Sequence, residues 1–321
     1  MNMITKNLYQ TALIEPCSQG ADELRIVSGY ATSAMASRHI GDLQEVNPSV
    51  KISLLVGMCP TDGIALGNHR GFQSIVSANF ACGYITSPPP VHGKLYIWYK
   101  KKQLLTSFIG SANYTQSAFF NRQREILSEF VDEEVTHYYE LLERNSINCT
   151  HNEVEDMVRV CNDKYYYERH PNEEGMKNGD DNFDVVGLQK VTVSLLDRTH
   201  NVPHHSGLNW GHRDNYQRDR NQAYFSLPPK VYKSDFFPPP PQHFTVRTDD
   251  DKTIICVRAQ KEYGNAIHSR KNSEIGEYIR NRIGVASGAL ITLDHLRNYG
   301  RTDVTFYKLD EEHFLMNFAP K

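Results

Sequence analysis

A histidine and a lysine two residues apart, His92 and Lys94, are followed by Gly110-Ser111-Ala112-Asn113 and then by Glu125. On a strand, residues two apart point to the same face, so an imidazole and an ammonium would be presented together. The Gly-Ser-x-Asn turn follows a short hairpin later and can return to the end of that strand. Such a set aims a nucleophilic imidazole, a fixed cation, a hydroxyl and an amide at one point. These groups suit attack on a phosphodiester, which needs a nucleophile and donors for the phosphoryl oxygens. No cluster of carboxylates accompanies them, so neither a metal nor another cofactor is expected. His-x-Lys by itself is common by chance, and the bland reading is a surface pair beside an ordinary turn. The added Gly-Ser-x-Asn at this separation makes the set specific.

The elements that must position these residues alternate. Residues 23–30 read as a strand ending in a turn and 33–45 as a helix. The apolar, β-branched run 50–56 reads as a buried strand, 70–79 as a helix and 83–85 as a short extended piece. Three successive strands are predicted over 91–99, 104–109 and 125–131, then a helix over 133–143 with apolar residues at 3–4 spacing. Strands alternating with helices argue for an α/β layered domain. The polar, aperiodic stretch 164–184 is the expected boundary, dividing a domain over 1–175 from one over 185–321. Beyond it, strands are expected at 186–196, 304–309 and 313–318, and a hairpin around Asp249-Asp250-Asp251. A helix over 273–283 capped by Ser273 and a second one begun by Thr292 and ended by Gly300 complete a mostly β half.

The chain has 321 residues, 39% of them hydrophobic, enough for about two domains. Its net charge of −3 does not advertise a nucleic-acid binder, but residues 1–189 balance to −7 and 190–321 to +4. An acidic half joined to a basic half suggests domains with different partners. Six scattered cysteines form no CxxC pair, which predicts buried free thiols in a reducing compartment. Neither a signal-peptide run nor an apolar stretch of membrane-spanning length is visible, so a cytoplasmic protein without a membrane partner is expected.

His92-x-Lys94 with Gly110-Ser111-x-Asn113 resembles the phospholipase-D superfamily signature. Ser28-Gly29-Tyr30, Gly110-Ser111-Ala112-Asn113 and Arg124-Glu125-Ile126 are similar to the nuclease domain of NgoFVII-type restriction endonucleases. Gly207-Leu208-Asn209-Trp210-Gly211 and the run 276–284 resemble that group's C-terminal DNA-binding domain, a β pseudobarrel like the plant B-three domain. The resemblance covers nearly the whole chain. It implies a layered phospholipase-D-like nuclease fused to a sequence-specific DNA reader: a type II-like site-specific deoxyribonuclease acting on double-stranded DNA. In that setting His92 would attack phosphorus and become a phosphohistidine. Lys94 and Asn113 would hold the non-bridging oxygens, with Ser111 as a further donor. Glu125 would fix the tautomer of His92, and Glu129 on the same strand face is the other candidate. The superfamily often carries an Asp five residues after the Lys; here that residue is Tyr99. Nucleases of this type often lack the Asp, and no direct role is assigned to a motif carboxylate. The superfamily site uses two His-x-Lys motifs and this chain has one, so a homodimer with a composite site is expected. A cognate methyltransferase is an expected companion. Some relatives work with a helicase-like ATPase subunit; this chain has no phosphate-binding Gly-rich loop of its own, so any ATP use would come from such a partner.

The second half holds two candidate DNA-reading arms. Residues 209–222 contribute Asn209, Trp210, His212, Arg213, Asp214, Arg218 and Arg220; residues 265–272 contribute Asn265, His268, Ser269, Arg270, Lys271 and Asn272. Arg pairs with guanine and Asn with adenine in the major groove, while Asp accepts from cytosine or orients an arginine. A solvated charged loop is the bland alternative. Two other functions stand beside the nuclease: a phosphodiesterase on lipid or another non-DNA substrate, which the basic second half disfavours, and a DNA-binding regulator with a decayed nuclease, which the intact motif disfavours.

Overall fold

The computed structural model describes residues 2–120, 123–168, 183–214, 217–259 and 264–321. The chain divides into two compact units, Met1–Asp180 and Asp181–Lys321. Most of the expected boundary stretch lies outside the described residues. Its beginning does not: Asp163–Glu168 is helical and packs on the first unit beside Ile64–Ala65.

The first unit is built on a mixed eight-stranded sheet. In spatial order the strands are Asn2–Ile4, Leu127–Phe130, Gln103–Gly110, Leu95–Lys100, Glu23–Ser28, Lys51–Val56, Phe80–Ile85 and Ser146–Asn148. Glu23–Ser28, Lys51–Val56 and Phe80–Ile85 run parallel, joined by the helices Ser33–Val46 and Leu66–Ile75. The remaining pairs are antiparallel. The central strands read as near-continuous apolar runs because both faces are covered, and Ile26, Val27, Tyr96, Ile97 and Trp98 are fully buried.

Several predicted bounds move. The helix read at 70–79 begins at Leu66, because Gly67 N donates to the Asp163 carboxylate at 2.8 Å. That partner comes from 96 residues away, so no local capping pattern announces it. The edge strands Asn2–Ile4 and Ser146–Asn148 and the helical turns over Tyr9–Ser18 are further elements the periodicity did not show. All six cysteines are buried and free.

The second unit is a seven-stranded sheet ordered Gln189–Ser194, Asp303–Lys308, His313–Asn317, His243–Thr248, Thr253–Ala259, Ala266–Ser269, Phe225–Ser226. Its two outer strands touch each other, so the sheet nearly closes into a pseudobarrel. Phe225, Phe237, Phe244, Phe306 and Phe314 fill it. The hairpin at Asp249-Asp250-Asp251 forms as predicted, with Asp249 and Asp250 both 2.7 Å from Arg282. Thr292 and His295 make a reciprocal cap, and Gly300 ends that helix in the left-handed region at φ 90°. Ser273 does stand at the start of Glu274–Arg282, but its hydroxyl donates to Asp219 at 2.8 Å. The buried Ser269 hydroxyl accepts from Ile275 N instead. Among the described residues no helix is long and apolar enough to cross a membrane.

Candidate functional site

The strand carrying the His motif begins later than predicted. It spans Leu95–Lys100, and His92 and Lys94 lie in the segment just ahead of it. His92 is exposed while Lys94 is only 4% exposed. The Lys94 ammonium donates to the His92 carbonyl at 2.6 Å and sits 3.0 and 3.1 Å from Nδ1 and Nε2 of the same residue. Cation and imidazole therefore meet at one edge, but in the segment ahead of the strand and not by alternation along it, with His92 exposed and Lys94 buried. Burial pushes the Lys94 ammonium below the usual lysine range, and the charge of Glu125 opposes that shift.

Gly110 ends the strand Gln103–Gly110 and turns the chain onto this edge. A Cβ there would lie 2.0 Å from the Ile126 carbonyl, so only glycine lets the two backbones approach. Ser111 N donates to Ile126 O at 3.0 Å, and Ile126 N donates to Ser111 Oγ at 3.1 Å. Asn113 Oδ1 accepts from Tyr30 N at 3.1 Å. The backbone N–H can only donate, so the Asn113 amide is oriented with its NH2 group left for another acceptor.

Glu125 departs from its expected role. Its carboxylate accepts from the Ser111 hydroxyl rather than from His92. The cause is the Ser111–Ile126 pairing, which lays residue 125 alongside Ser111. Glu129 accepts from Thr106 at 3.0 Å, not from His92. Glu125 thus orients the hydroxyl and supports the charge of Lys94.

A layer beneath the motif was not read as part of the site. Ser28 Oγ donates to Tyr30 O at 2.6 Å and accepts from Tyr114 N at 2.9 Å, tying the end of one strand to the Asn113 loop. The Tyr30 ring stands edge-on to His92 at 6.0 Å, and its hydroxyl donates to Asp62. At Gly29 a Cβ would lie 3.2 Å from the His92 ring and 3.4 Å from its Cα, so a larger residue there would press His92 aside. Tyr96 donates to Ala112 O at 2.7 Å, and Tyr114 meets His39 Nδ1 at 2.8 Å. His39 Nε2 lies 2.9 Å from Leu13 O, which can only accept. His39 therefore carries its proton on Nε2 and accepts from Tyr114 through Nδ1. The Ser28-Gly29-Tyr30 triplet is the one sequence signal that pointed to this layer.

His39 and His69 are both fully buried, and burial lowers each from 6.5 to about 4. Both are neutral in the folded chain and protonate readily only when unfolded. Unfolding therefore takes up protons between about pH 6.5 and 4, and stability is full above 6.5 and declines as pH falls through that window. Thermal melts of the wild type should show Tm falling from about pH 6.5 downwards. A Tm that stays flat until the carboxylates titrate would contradict the neutral assignment.

In the second unit the two arms meet. Ala223 N donates to Asn272 O at 3.1 Å, and Ser273 reaches Asp219. Trp210, Tyr224 and His268 form a ring cluster: Trp210 lies 5.0 Å from His268 and 5.7 Å from Tyr224. Tyr224 stacks on His268 at 5.2 Å. The Arg218 guanidinium sits 4.2 Å from the Trp210 ring centroid and donates to Gln222 at 3.2 Å. Arg213, Asp214, Arg220, Lys271 and Asn272 are exposed. His212 and Arg270 are half-buried, beside Arg220 and Glu274 respectively, and Asn265 accepts from Leu227 N through its carbonyl. Residues 215 and 216 of the first arm lie outside the described ones.

Two expected DNA contacts are structural. Asn209 is fully buried; its amide donates to Pro203 O and Ile291 O and accepts from Ile291 N, all within 3.0 Å. Ser269 is 1% exposed, with its hydroxyl donating to Lys271 O at 2.6 Å. Both shape the arms instead of reaching from them. The buried Arg280 does the same, bonding Ala289 O, Gly276 O and Leu208 O.

An imidazole–ammonium pair beside a Gly-Ser-x-Asn turn, in a chain with a second, pseudobarrel unit, defines a class: a phospholipase-D-like enzyme with an attached β domain. Comparison narrows it. Residues 6–156 match the NgoFVII restriction endonuclease N-terminal PLD domain, and residues 184–310 match the NgoFVII C-terminal B3-like DNA-binding domain. Together these cover most of the chain, which belongs to the NgoFVII restriction endonuclease family and is a deoxyribonuclease. Among solved structures, NucT from Helicobacter pylori is similar at 17% identity over 46% of this chain and 97% of that one, with a TM-score of 0.35. Nuc from Salmonella typhimurium, a phospholipase D family member, is 11% identical over 46% of this chain and 94% of that one, TM-score 0.36. A polyphosphate kinase from Porphyromonas gingivalis is 14% identical over 46% of this chain and 24% of that one, TM-score 0.34. No curated protein matches the chain.

Proposed function

We propose that this nuclease cleaves double-stranded DNA at a short specific sequence, without a metal, through a phosphohistidine at a site shared by two subunits. The observation that carries the reading is the convergence of His92, Lys94, Ser111 and Asn113 on one edge of the first sheet, in a chain that also holds a DNA-binding domain. His92 attacks phosphorus. Lys94 neutralises charge on the non-bridging oxygens and the Asn113 NH2 donates to them, while the Ser111 hydroxyl, whose one proton goes to Glu125, holds that carboxylate near Lys94. The imidazole of the second subunit gives its proton to the leaving oxygen. The same imidazole then takes a proton from water, which attacks the phosphohistidine and frees His92.

Two observations support the second subunit. Within the first unit, His39 and His69 are buried on tyrosine hydroxyls and cannot supply the general acid. Near Ser111, the exposed apolar residues Met3 and Ile109 share a sheet face, since both are in register with Ser128, and the exposed Ile126 is two residues before it. That strip suits burial against a copy of itself. Metal independence follows from the proposed nucleophile, because attack by the His92 imidazole requires no metal-bound water. A cognate methyltransferase would protect the host's own sites, and a helicase-like ATPase would be required only if cleavage proved ATP-dependent. A cytoplasmic setting fits this role.

The test is plasmid cleavage by the purified protein in millimolar EDTA, followed by mapping of the ends. Cleavage at one recurrent sequence is expected. Activity lost to chelator and restored by magnesium would overturn the His92 mechanism.

A further inference from the structure

We propose that Arg218 is the guanine-reading residue of this enzyme and that Trp210, with His268 and Tyr224 behind it, is the platform that aims it. The proposal rests on the sequence-specific DNA-binding reading above and names the base. Arg218 and Arg270 are the half-buried arginines of the arms; Arg270 lies beside Glu274, whereas Arg218 stands over the Trp210 ring. Arg213, Arg220 and Lys271 are exposed, as suits phosphate contacts, which tolerate flexible side chains. Arg218 is half-buried, with its guanidinium carbon 4.2 Å from the Trp210 ring centroid and Nη1 donating to Gln222. The ring contact and the hydrogen bond together restrict its rotamers before DNA arrives. That ordering favours a contact with a strict geometric demand.

Guanidinium has only donors, in a planar fork. The base edge that offers two acceptors side by side in the major groove is guanine, through O6 and N7. The platform joins both arms: Trp210 and Arg218 come from the first, His268 from the second, and Tyr224 precedes the strand that pairs with the second. Placing the reader where the arms interlock fixes its position against the frame of the unit. His268 is held neutral by burial, at about 4, so it packs against Trp210 without adding a second charge beside Arg218.

The experiment uses the full-length protein and the sequence established by end mapping. Binding is measured on duplexes altered at one base pair at a time, and on duplexes with 7-deazaguanine, which lacks the N7 acceptor. For the wild type, 7-deazaguanine at one position should weaken binding about 10- to 100-fold, and R218A or R218K should lose about as much. In R218A the same 7-deazaguanine should have no further effect. W210L should reproduce the loss, and W210F, which keeps a ring under the guanidinium and guards against misfolding, should retain most of the wild-type discrimination. An equal loss on every sequence with a flatter salt slope would place Arg218 on phosphate and overturn the proposal. So would 7-deazaguanine costs that add to R218A, or a W210L protein with undiminished discrimination. Wild-type protein that prefers no sequence would instead remove the reading on which the proposal stands.

Discussion

Replacing His92 by Ala should abolish cleavage, by at least about 10⁴-fold, while leaving specific DNA binding unchanged. Among the described residues, the His92 imidazole is the proposed nucleophile at the edge that Lys94, Ser111 and Asn113 share. It is exposed, so its loss leaves no cavity. Lys94 keeps its 2.6 Å bond to the backbone carbonyl of residue 92, which the substitution does not remove. The candidate DNA-reading arms belong to the other compact unit, which has its own phenylalanine-rich core. A fragment from about residue 185 onward should accordingly bind the same sequence without cutting it. Gel-shift titration and plasmid cleavage, run on wild type, variant and fragment, check all three statements. Residual cleavage within about tenfold of wild type by His92→Ala would assign the nucleophile elsewhere. Loss of specific binding by a folded fragment would show that reading requires both units.

Subunit mixing should poison activity beyond dilution. Each chain contributes one His-x-Lys, whereas in-line displacement needs a nucleophile on one side of phosphorus and a proton donor on the other. A heterodimer of wild type and His92→Ala keeps a single imidazole and should be inactive. With a ninefold excess of variant after complete exchange, random pairing leaves about 1% of dimers fully wild type, against about 10% expected from simple dilution. The solution mass should be that of a dimer. Ile109→Asp, on the exposed apolar strip beside Ser111, should weaken the dimer and cleavage together. Activity proportional to the wild-type fraction, with exchange demonstrated, would mean that each chain holds a complete site.

The candidate site was legible in the chain because its parts are close in sequence. His92 and Lys94 are two residues apart, and Gly110-Ser111-Ala112-Asn113 follows across one hairpin, so residue types and spacing alone nominate a phosphoryl-transfer site. The elements with strong local patterns were legible for the same reason: the apolar strand at 51–56, the amphipathic helix at 134–144, and the Thr292 cap with its closing Gly300. The orientation of each side chain was not. Glu125 belongs to Ser111 and not to His92, because backbone pairing between Ser111 and Ile126 decides which acceptor lies beside which donor. The helix Leu66–Ile75 takes its start from Asp163, and Tyr114 from His39, partners 96 and 75 residues distant.

The arms show the same division. Their density of Arg, Asn and His marks them in sequence as candidates for DNA contact, but composition does not reveal burial. Asn209 and Ser269 carry the right groups, and the fold turns them inward to satisfy its own backbone. The physical reason is general: a polar side chain must be paired wherever water is excluded, and only the packed structure determines where that is. The sequence by itself determined which chemical groups this nuclease has and roughly which of them share an edge. Tertiary structure decided which face substrate, which hold the frame, and that Arg218 lies on Trp210.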